Sequence, residues 1–393
     1  MKRLITILLT LFILSGCSNV KSDDYTSKDL DIKGETIIEK TPEEIREDYI
    51  NEFMSDMTLE EKAGQMIMVA FRSDSNGNPV TAVNDEIVEA IQYIKPGGVI
   101  LFGENIDTEN QTIEYIENLQ GISKTPLFIG IDEEGGRVSR LHSSGNIITP
   151  QIPTAEYMGK NYNEKQVMAT MGTIANEIKR LGFNVDFAPV ADINTNPENT
   201  VIGDRAFGSD PETVSMFVIS AIKGLQRNNV SACVKHFPGH GDTYTDTHTT
   251  ETFVNHDIER LNSCELIPFK NAFETGVDFA MVSHIKVPNV DNSGLPSSLS
   301  KTIINDILRN QLGFKGIIIT DALDMGAISN YYTEDEIAKY GIDAGVDIFL
   351  MPKDAKALYD YIVKGLKDGS IDEDRINQSV RRILEVKYNR GIL

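Results

Sequence analysis

Short apolar runs rich in β-branched residues recur eight times along the chain, at Gln65–Phe71, Gly98–Phe102, Leu127–Ile131, Asn184–Val190, Ser231–Phe237, Phe279–Ile285, Gly316–Thr320 and Val346–Met351. Runs of this length, apolar at successive positions, predict strands buried on both faces. Between them the spacing becomes helical. Ile87, Ile91 and Ile94 form one stripe, Val167, Met171, Ile174 and Ile178 a second, and Val214, Val218, Ala221, Ile222 and Leu225 a third. The third stripe follows Asp210-Pro211, an N-cap residue with proline at the first helical position. Thr58-x-x-Glu61, Thr108-x-x-Gln111 and Thr333-x-x-Glu336 have capping-box spacing. Buried strands alternating with amphipathic helices imply a parallel sheet covered by helices. Eight repeats suit closure into one (β/α)8 TIM-type barrel, with an open doubly wound sheet as the alternative. The length of 393 residues exceeds the usual ~150 per domain, but it lies in the ~200 to over 400 span of such barrels.

The first residues follow another pattern. Lys2 and Arg3 precede an apolar run from Leu4 to Leu14, broken only by Thr6 and Thr10. As a helix it would rise only ~16 Å, too short to cross a membrane but suited to the core of a signal peptide. It ends in Leu14-Ser15-Gly16-Cys17, which resembles a bacterial lipobox. The expectation is a leader over residues 1–16, a lipid-bearing Cys17, a polar tether over 17–41 and a catalytic barrel over 42–393. The bland readings are an ordinary signal peptide or a soluble N-terminal helix.

Hydrophobic residues at 40% and charged residues at 24% describe a globular chain and argue against disorder. The net charge of -22 repels phosphate backbones, which argues against nucleic acid as a partner. Three cysteines without a CxxC pair make no disulfide framework, and Cys233, inside an apolar run, reads as a small buried hydrophobe. Tryptophan is absent, so tyrosine and phenylalanine are the aromatic platforms. Nothing in the residues specifies an oligomeric state.

A barrel should carry its chemistry at the carboxyl ends of its strands. Asp132, Asp192, Lys235-His236, His284 and Asp321 all fall there. Any one of them could be a cap or an ion pair; five on one rim point to a site. The densest stretch, Lys235 to His248, holds three of the six histidines together with Asp242 and Asp246. His236 and His240 have metal-ligand spacing only on a helix, and Pro238, Gly239 and Gly241 exclude one there, so a metal is not favoured. Asp246-x-His248 on a loop suits acid–base work, because a carboxylate can orient an imidazole that titrates near neutrality. Taken alone, that pair is as well explained by a solvated loop.

Lys235-His-Phe-Pro-Gly-His-Gly-Asp242 followed by Asp246-x-His248 resembles the signature of glycoside hydrolase family 3, in its bacterial β-N-acetylhexosaminidase branch. Met57–Met66, Gly97–Phe102, Ile131–Val138, Val201–Gly208 and Thr320–Met325 resemble further blocks of the family in the same order. The resemblance implies that Asp321 is a nucleophile forming a covalent glycosyl-enzyme, and that His248, paired with Asp246, is the general acid/base. It implies that Asp132, Arg140, Arg205, Lys235 and His236 bind the hydroxyls of a terminal sugar. Asp324, three residues on, is the carboxylate not expected to attack. Glu133 stands where many relatives carry glutamine, which predicts an altered charge beside Asp132; Thr247, standing where serine is common, predicts little change. In the β-glucosidase branch the acid/base comes from a domain after the barrel. This sequence stops at Leu393 after a final helix around Arg375 to Tyr388, which favours the hexosaminidase branch.

The implied activity is retaining exo-β-N-acetylglucosaminidase action on terminal β-linked GlcNAc of cell-wall or other glycans, without metal or organic cofactor, by a protein held at the outer membrane face by its lipid. A phosphorylase and an inactive surface sugar-binding lipoprotein are the alternatives.

Overall fold

The computed structural model describes residues 40–243 and 251–393. The strands, in chain order, are β1 (Ile67–Ala70), β2 (Gly98–Ile100), β3 (Phe128–Ile131), β4 (Glu133–Gly135), β5 (Val138–Ser139), β6 (Val185–Asp186), β7 (Ser231–Phe237), β8 (Thr252–Phe253), β9 (Phe279–Val282), β10 (Ile285–Lys286), β11 (Ile317–Thr320) and β12 (Phe349–Leu350). Eight of them form one parallel sheet in the order β11-β9-β7-β6-β3-β2-β1-β12. A parallel bridge between Ile319 and Ile348, with the Thr320 amide donating to Ile348 O at 3.1 Å, joins the two ends. The eight apolar runs are the eight barrel strands, and the sheet closes.

Closure follows from alternation within each strand. In β11, Ile317 and Ile319 point into the barrel, where they join Met68, Phe128, Cys233 and Phe279. Ile318 points outward and packs under the helices. Each such side chain, fully buried, contributes about 1.5–3 kcal/mol. Gly130 in β3 shows how tightly the interior is filled: a Cβ there would come within 2.7 Å of Met68 and Phe187. Cys233 is fully buried and its thiol is pushed well above its ordinary range by that burial, as expected of an inert hydrophobe.

The helices keep their sequence-encoded starts. Thr58 with Glu61 and Thr333 with Glu336 form complete capping boxes. Thr108 accepts from the Gln111 amide, but the Gln111 side chain reaches one residue further back, to the amide of Asp107, so that box is displaced rather than closed. Asp210 caps Pro211–Gln226, whose Val214, Val218, Ala221, Ile222 and Leu225 are buried. The last helix runs Glu373–Asn389, slightly longer at both ends than its apolar stripe suggests. Among the described residues no helix is long and apolar enough to cross a membrane.

Candidate active site

A cavity of about 350 Å³ opens at the carboxyl ends of the strands, a size suited to a small ligand. Asp132, Glu134, Arg140, Arg205, Lys235, His236 and Asp321 all line it. Thus six of the residues singled out from the sequence meet around one cavity, although Asp132 and Asp321 are 189 positions apart.

The charge arrangement begins at β3. Beyond its last residue the chain turns into the short hairpin β4–β5, and the two-residue period of an extended chain puts Asp132 and Glu134 on the cavity side and Glu133 on the other. The Gly135-Gly136 turn at φ +90° and +58° is left-handed, which glycine adopts without strain. Lys235, at the mouth of β7, donates to Asp132 Oδ1 at 2.8 Å and lies 2.7 Å from Glu134 Oε1. Arg205 grips Glu134 through two bonds of 2.8 and 2.7 Å. Arg140 reaches the other oxygen of Asp132 at 3.1 Å, with its guanidinium 5.4 Å from the centre of the Phe102 ring.

Burial by itself would raise the carboxyl groups and depress the cations. Here the partners win. The charges of Lys235 and Arg140 outweigh burial at Asp132 and hold its carboxyl below the usual range. Arg205 and Lys235 do the same, more strongly, at Glu134. Burial would lower the Lys235 ammonium, but Asp132 and Glu134 hold it well above its ordinary value. Asp132, Glu134, Lys235 and Arg205 therefore stay ionised across the neutral range, a fixed array able to donate to and accept from polar ligands.

His236 is fixed from below. Its Nδ1 lies 2.7 Å from Asp192 Oδ2, and Asp192 also accepts from the amides of His236 and His240 at 3.2 and 2.7 Å. A carboxylate only accepts, so a ring proton sits on Nδ1, and Nε2 lies 3.4 Å from Arg205. Asp192, fully buried, thus sits beneath the rim and acts through the two histidines. His240 lines the cavity, with its Nδ1 2.8 Å from the Thr243 hydroxyl. Burial, and then the neighbouring His236, lower its pKa.

Asp321 follows β11 directly. Its Oδ1 accepts from the Ala322 amide at 2.8 Å, and its own amide donates to Val282 O at 2.8 Å. The Ala322 carbonyl in turn takes a bond from His284 Nε2 at 2.9 Å, while His284 Nδ1 lies 2.7 Å from the Ser298 hydroxyl. His284 is buried behind the loop rather than on the cavity wall, so it belongs to the support of Asp321. Asp324 is exposed and is not among the residues that line the cavity.

The expectation for Glu133 requires correction. Its side chain accepts from the amides of Arg140 and Leu141 at 2.8 and 3.1 Å and from the Ser139 hydroxyl. It therefore ties the hairpin to the helix Arg140–Ser144 and adds no charge to the cavity, and burial raises its pKa. Glu134 was the residue missed from the sequence, and the alternation of 132 and 134 was the signal for it. Arg137, also on the wall, donates to Asp204 at 2.8 Å and to the carbonyls of Thr200, Val201 and Ile202. Asp246 and His248 lie outside the described residues, as does Cys17.

With this geometry in hand, the profile described as glycosyl hydrolase family 3 N terminal domain matches residues 58–386. Beta-hexosaminidase A of Pseudoalteromonas piscicida is 33% identical over 371 residues, covering 84% of this chain and 61% of the relative. A beta-hexosaminidase of Mycobacterium tuberculosis is 34% identical over 298 residues, covering 74% of this chain and 75% of the relative. Among solved structures, a glycoside hydrolase family 3 beta-N-acetylglucosaminidase from Paenibacillus sp. str. FPU-7 superposes with a TM-score of 0.80 at 36% identity, over 86% of this chain and 63% of that one. The chain thus spans less than two thirds of the Pseudoalteromonas and Paenibacillus proteins.

Proposed function

This chain belongs to glycosyl hydrolase family 3, and from that premise we propose that it is a retaining exo-β-N-acetylglucosaminidase that removes terminal β-linked GlcNAc from glycans. One observation carries the reading: the Asp321 carboxylate and the cluster of Asp132, Lys235, Glu134 and Arg205 line the same cavity, of a size for a sugar ring. The names of the relatives support the choice of sugar.

In this reading the cluster grips the hydroxyls of the non-reducing sugar. A carboxylate oxygen of Asp321 bonds to the anomeric carbon as the glycosidic bond breaks, and the leaving oxygen takes a proton from His248, oriented by Asp246. Water then gives a proton back to His248 while its oxygen bonds to the anomeric carbon, releasing Asp321 and a sugar of retained configuration. The transition state carries positive charge on the ring, which an adjacent carboxylate stabilises. The residues require no metal or organic cofactor in this scheme.

The decisive measurement is turnover of aryl β-GlcNAc against aryl β-glucoside by the protein and by its Asp321→Ala variant. We expect hydrolysis of the first substrate and a loss of at least about a thousandfold in the variant. His248→Ala should slow poor leaving groups far more than activated aryl ones; equal losses would remove His248 from the acid role. Formation of GlcNAc-1-phosphate in phosphate buffer would identify a phosphorylase, and binding without release at any pH a sugar-binding protein.

Lipid attachment at Cys17 is part of the same proposal. Lys2, Arg3, the apolar run to Leu14 and the small residues before Cys17 support it, and would place the enzyme on the outer membrane face, with cell-wall fragments as substrates in peptidoglycan turnover. Labelled fatty acid should enter the wild-type protein and not Cys17→Ser.

A further inference from the structure

A second cavity, of about 440 Å³, lies on the other side of the β4–β5 hairpin. Gly136 and Ser139 line it, whereas Arg137 and Val138 between them line the sugar cavity, so a single turn of chain separates the two. Its far wall is the segment from Gln151 to Thr154 and the residues Tyr157 and Tyr162.

Three features set this groove apart. In a protein of net charge -22, none of its lining residues is Asp, Glu, Lys or Arg. Tyr157 and Tyr162 meet edge to face at 5.9 Å and 82°, and Tyr157 is half-exposed, which leaves aromatic surface turned to the groove. The side chains of Tyr157, Tyr162, His142 and Gln151 make no hydrogen bond among the described residues; at Tyr157, Tyr162 and His142 the backbone alone is engaged. Ile152 and Pro153 supply an apolar floor between these polar tips.

Aromatic faces with uncharged donors and acceptors at their margins suit a neutral saccharide, whose C–H faces stack while its hydroxyls and amides find partners. A peptide bearing carboxylates would find no counter-charge there and would meet the field of an acidic protein. We propose that this groove binds neutral sugar units of the same glycan whose end occupies the first cavity. The inference rests on the glycosidase reading and deepens it: among β-GlcNAc glycans it favours extended, uncharged ones over the peptide-bearing cell-wall fragments that the lipid anchor alone suggested.

The test uses calorimetric titration with β-1,4-linked GlcNAc oligomers, from the monosaccharide upward, in an Asp321→Ala background that leaves them uncleaved, beside aryl β-GlcNAc turnover with Asp321 intact. In that background, affinity should rise with oligomer length. The double variant Tyr157→Ala/Tyr162→Ala should lose about tenfold of that affinity for the longer oligomers, and Gln151→Ala on its own a smaller part of it, while with Asp321 intact aryl β-GlcNAc turnover stays within about twofold of wild type. Unchanged oligomer affinity in the variants overturns the proposal. So does tighter binding of an oligomer bearing an acidic peptide than of the bare oligomer, or full affinity for an oligomer whose non-reducing end is blocked. Were wild type to bind oligomers through these tyrosines yet turn over no aryl glycoside, the groove would stand and the catalytic reading would fall.

Discussion

At the carboxyl ends of the strands, Lys235 lies between Asp132 and Glu134, Arg205 clasps Glu134, and the whole cluster opens on a cavity. At the amino ends, the fully buried Asp347 accepts from Arg309 at 2.7 Å, Arg382 at 2.8 Å, Ser379 and the Ile318 amide at 2.9 Å, while Arg375 donates to the carbonyls of Ile342 and Val346. Both ends bury charge, in opposite balance. At the rim each central cation has carboxylates enough to stay charged, and Lys235 and Arg205 are held well above their ordinary values. At the base the cations are in excess. Burial, with Arg382 beside it, lowers Arg309 to about 10, and Arg375 is lowered for the same reasons. Lys387 is the extreme case. It is fully buried; among the described residues its ammonium has the amide oxygen of Gln65 at 2.7 Å and the Phe128 ring at 5.0 Å as partners, and burial lowers it to about 7. The cluster of Asp132, Lys235, Glu134 and Arg205 thus keeps its charges through the neutral range, whereas Lys387 ties stability to pH from neutrality upward.

Removing a charge from each end separates these roles. Lys235→Met should have the largest effect, because it leaves Asp132 and Glu134 facing each other in the cavity; kcat/KM on aryl β-GlcNAc should fall at least about a thousandfold. Steady-state kinetics at a temperature where the variant remains folded decide this. Asp347→Asn should leave Arg309 and Arg382 underpaired and cost about 3–5 kcal/mol in denaturant unfolding, with kcat/KM of the folded enzyme nearly unchanged. A large catalytic loss there would erase the distinction between the two ends.

Lys387→Met sharpens the comparison through pH. Between about 7 and 10.5 the unfolded chain binds the lysine proton and the folded chain does not, so this group makes stability rise with pH across that window and leaves it flat below. The variant should melt higher at pH 7 and lose that rise, as thermal unfolding from pH 6 to 10 would reveal. Glu133→Gln should do least. Its carboxylate bonds only the hairpin and the helix behind it, so a change below about 1 kcal/mol in stability and no shift in KM are expected; a large KM shift would return Glu133 to the cavity.

How far the chain could be read in advance differs by feature. The strands were legible because each is a local run whose boundaries lie within a few residues of the observed ones, as with Gly316–Thr320 against Ile317–Thr320. Helix starts at Thr58, Asp210 and Thr333 were legible because a cap is complete within four residues. The rim chemistry was legible in its residue types, and Asp132, Arg140, Arg205, Lys235, His236 and Asp321 do share the cavity. Side-chain direction was read less well. Glu133 looked like part of the sugar site because it adjoins Asp132 in sequence, yet extended backbone turns neighbours to opposite faces, and Glu134 is the residue that shares the wall. Asp192 and His284 sat among the rim residues by position and proved to work one layer below it.

The sequence by itself determined the eightfold alternation of strand and helix, the caps and the kind of groups that gather at one end, since periodicity and capping are set by residues within a turn or two of each other. Only the tertiary structure decided which carboxylate meets which cation: Lys235 with Asp132, 103 positions away, and Arg309 with Asp347, 38 away. Those pairings depend on strand register and barrel closure, and register is a property of packed neighbours in space, to which no local run of residues gives access.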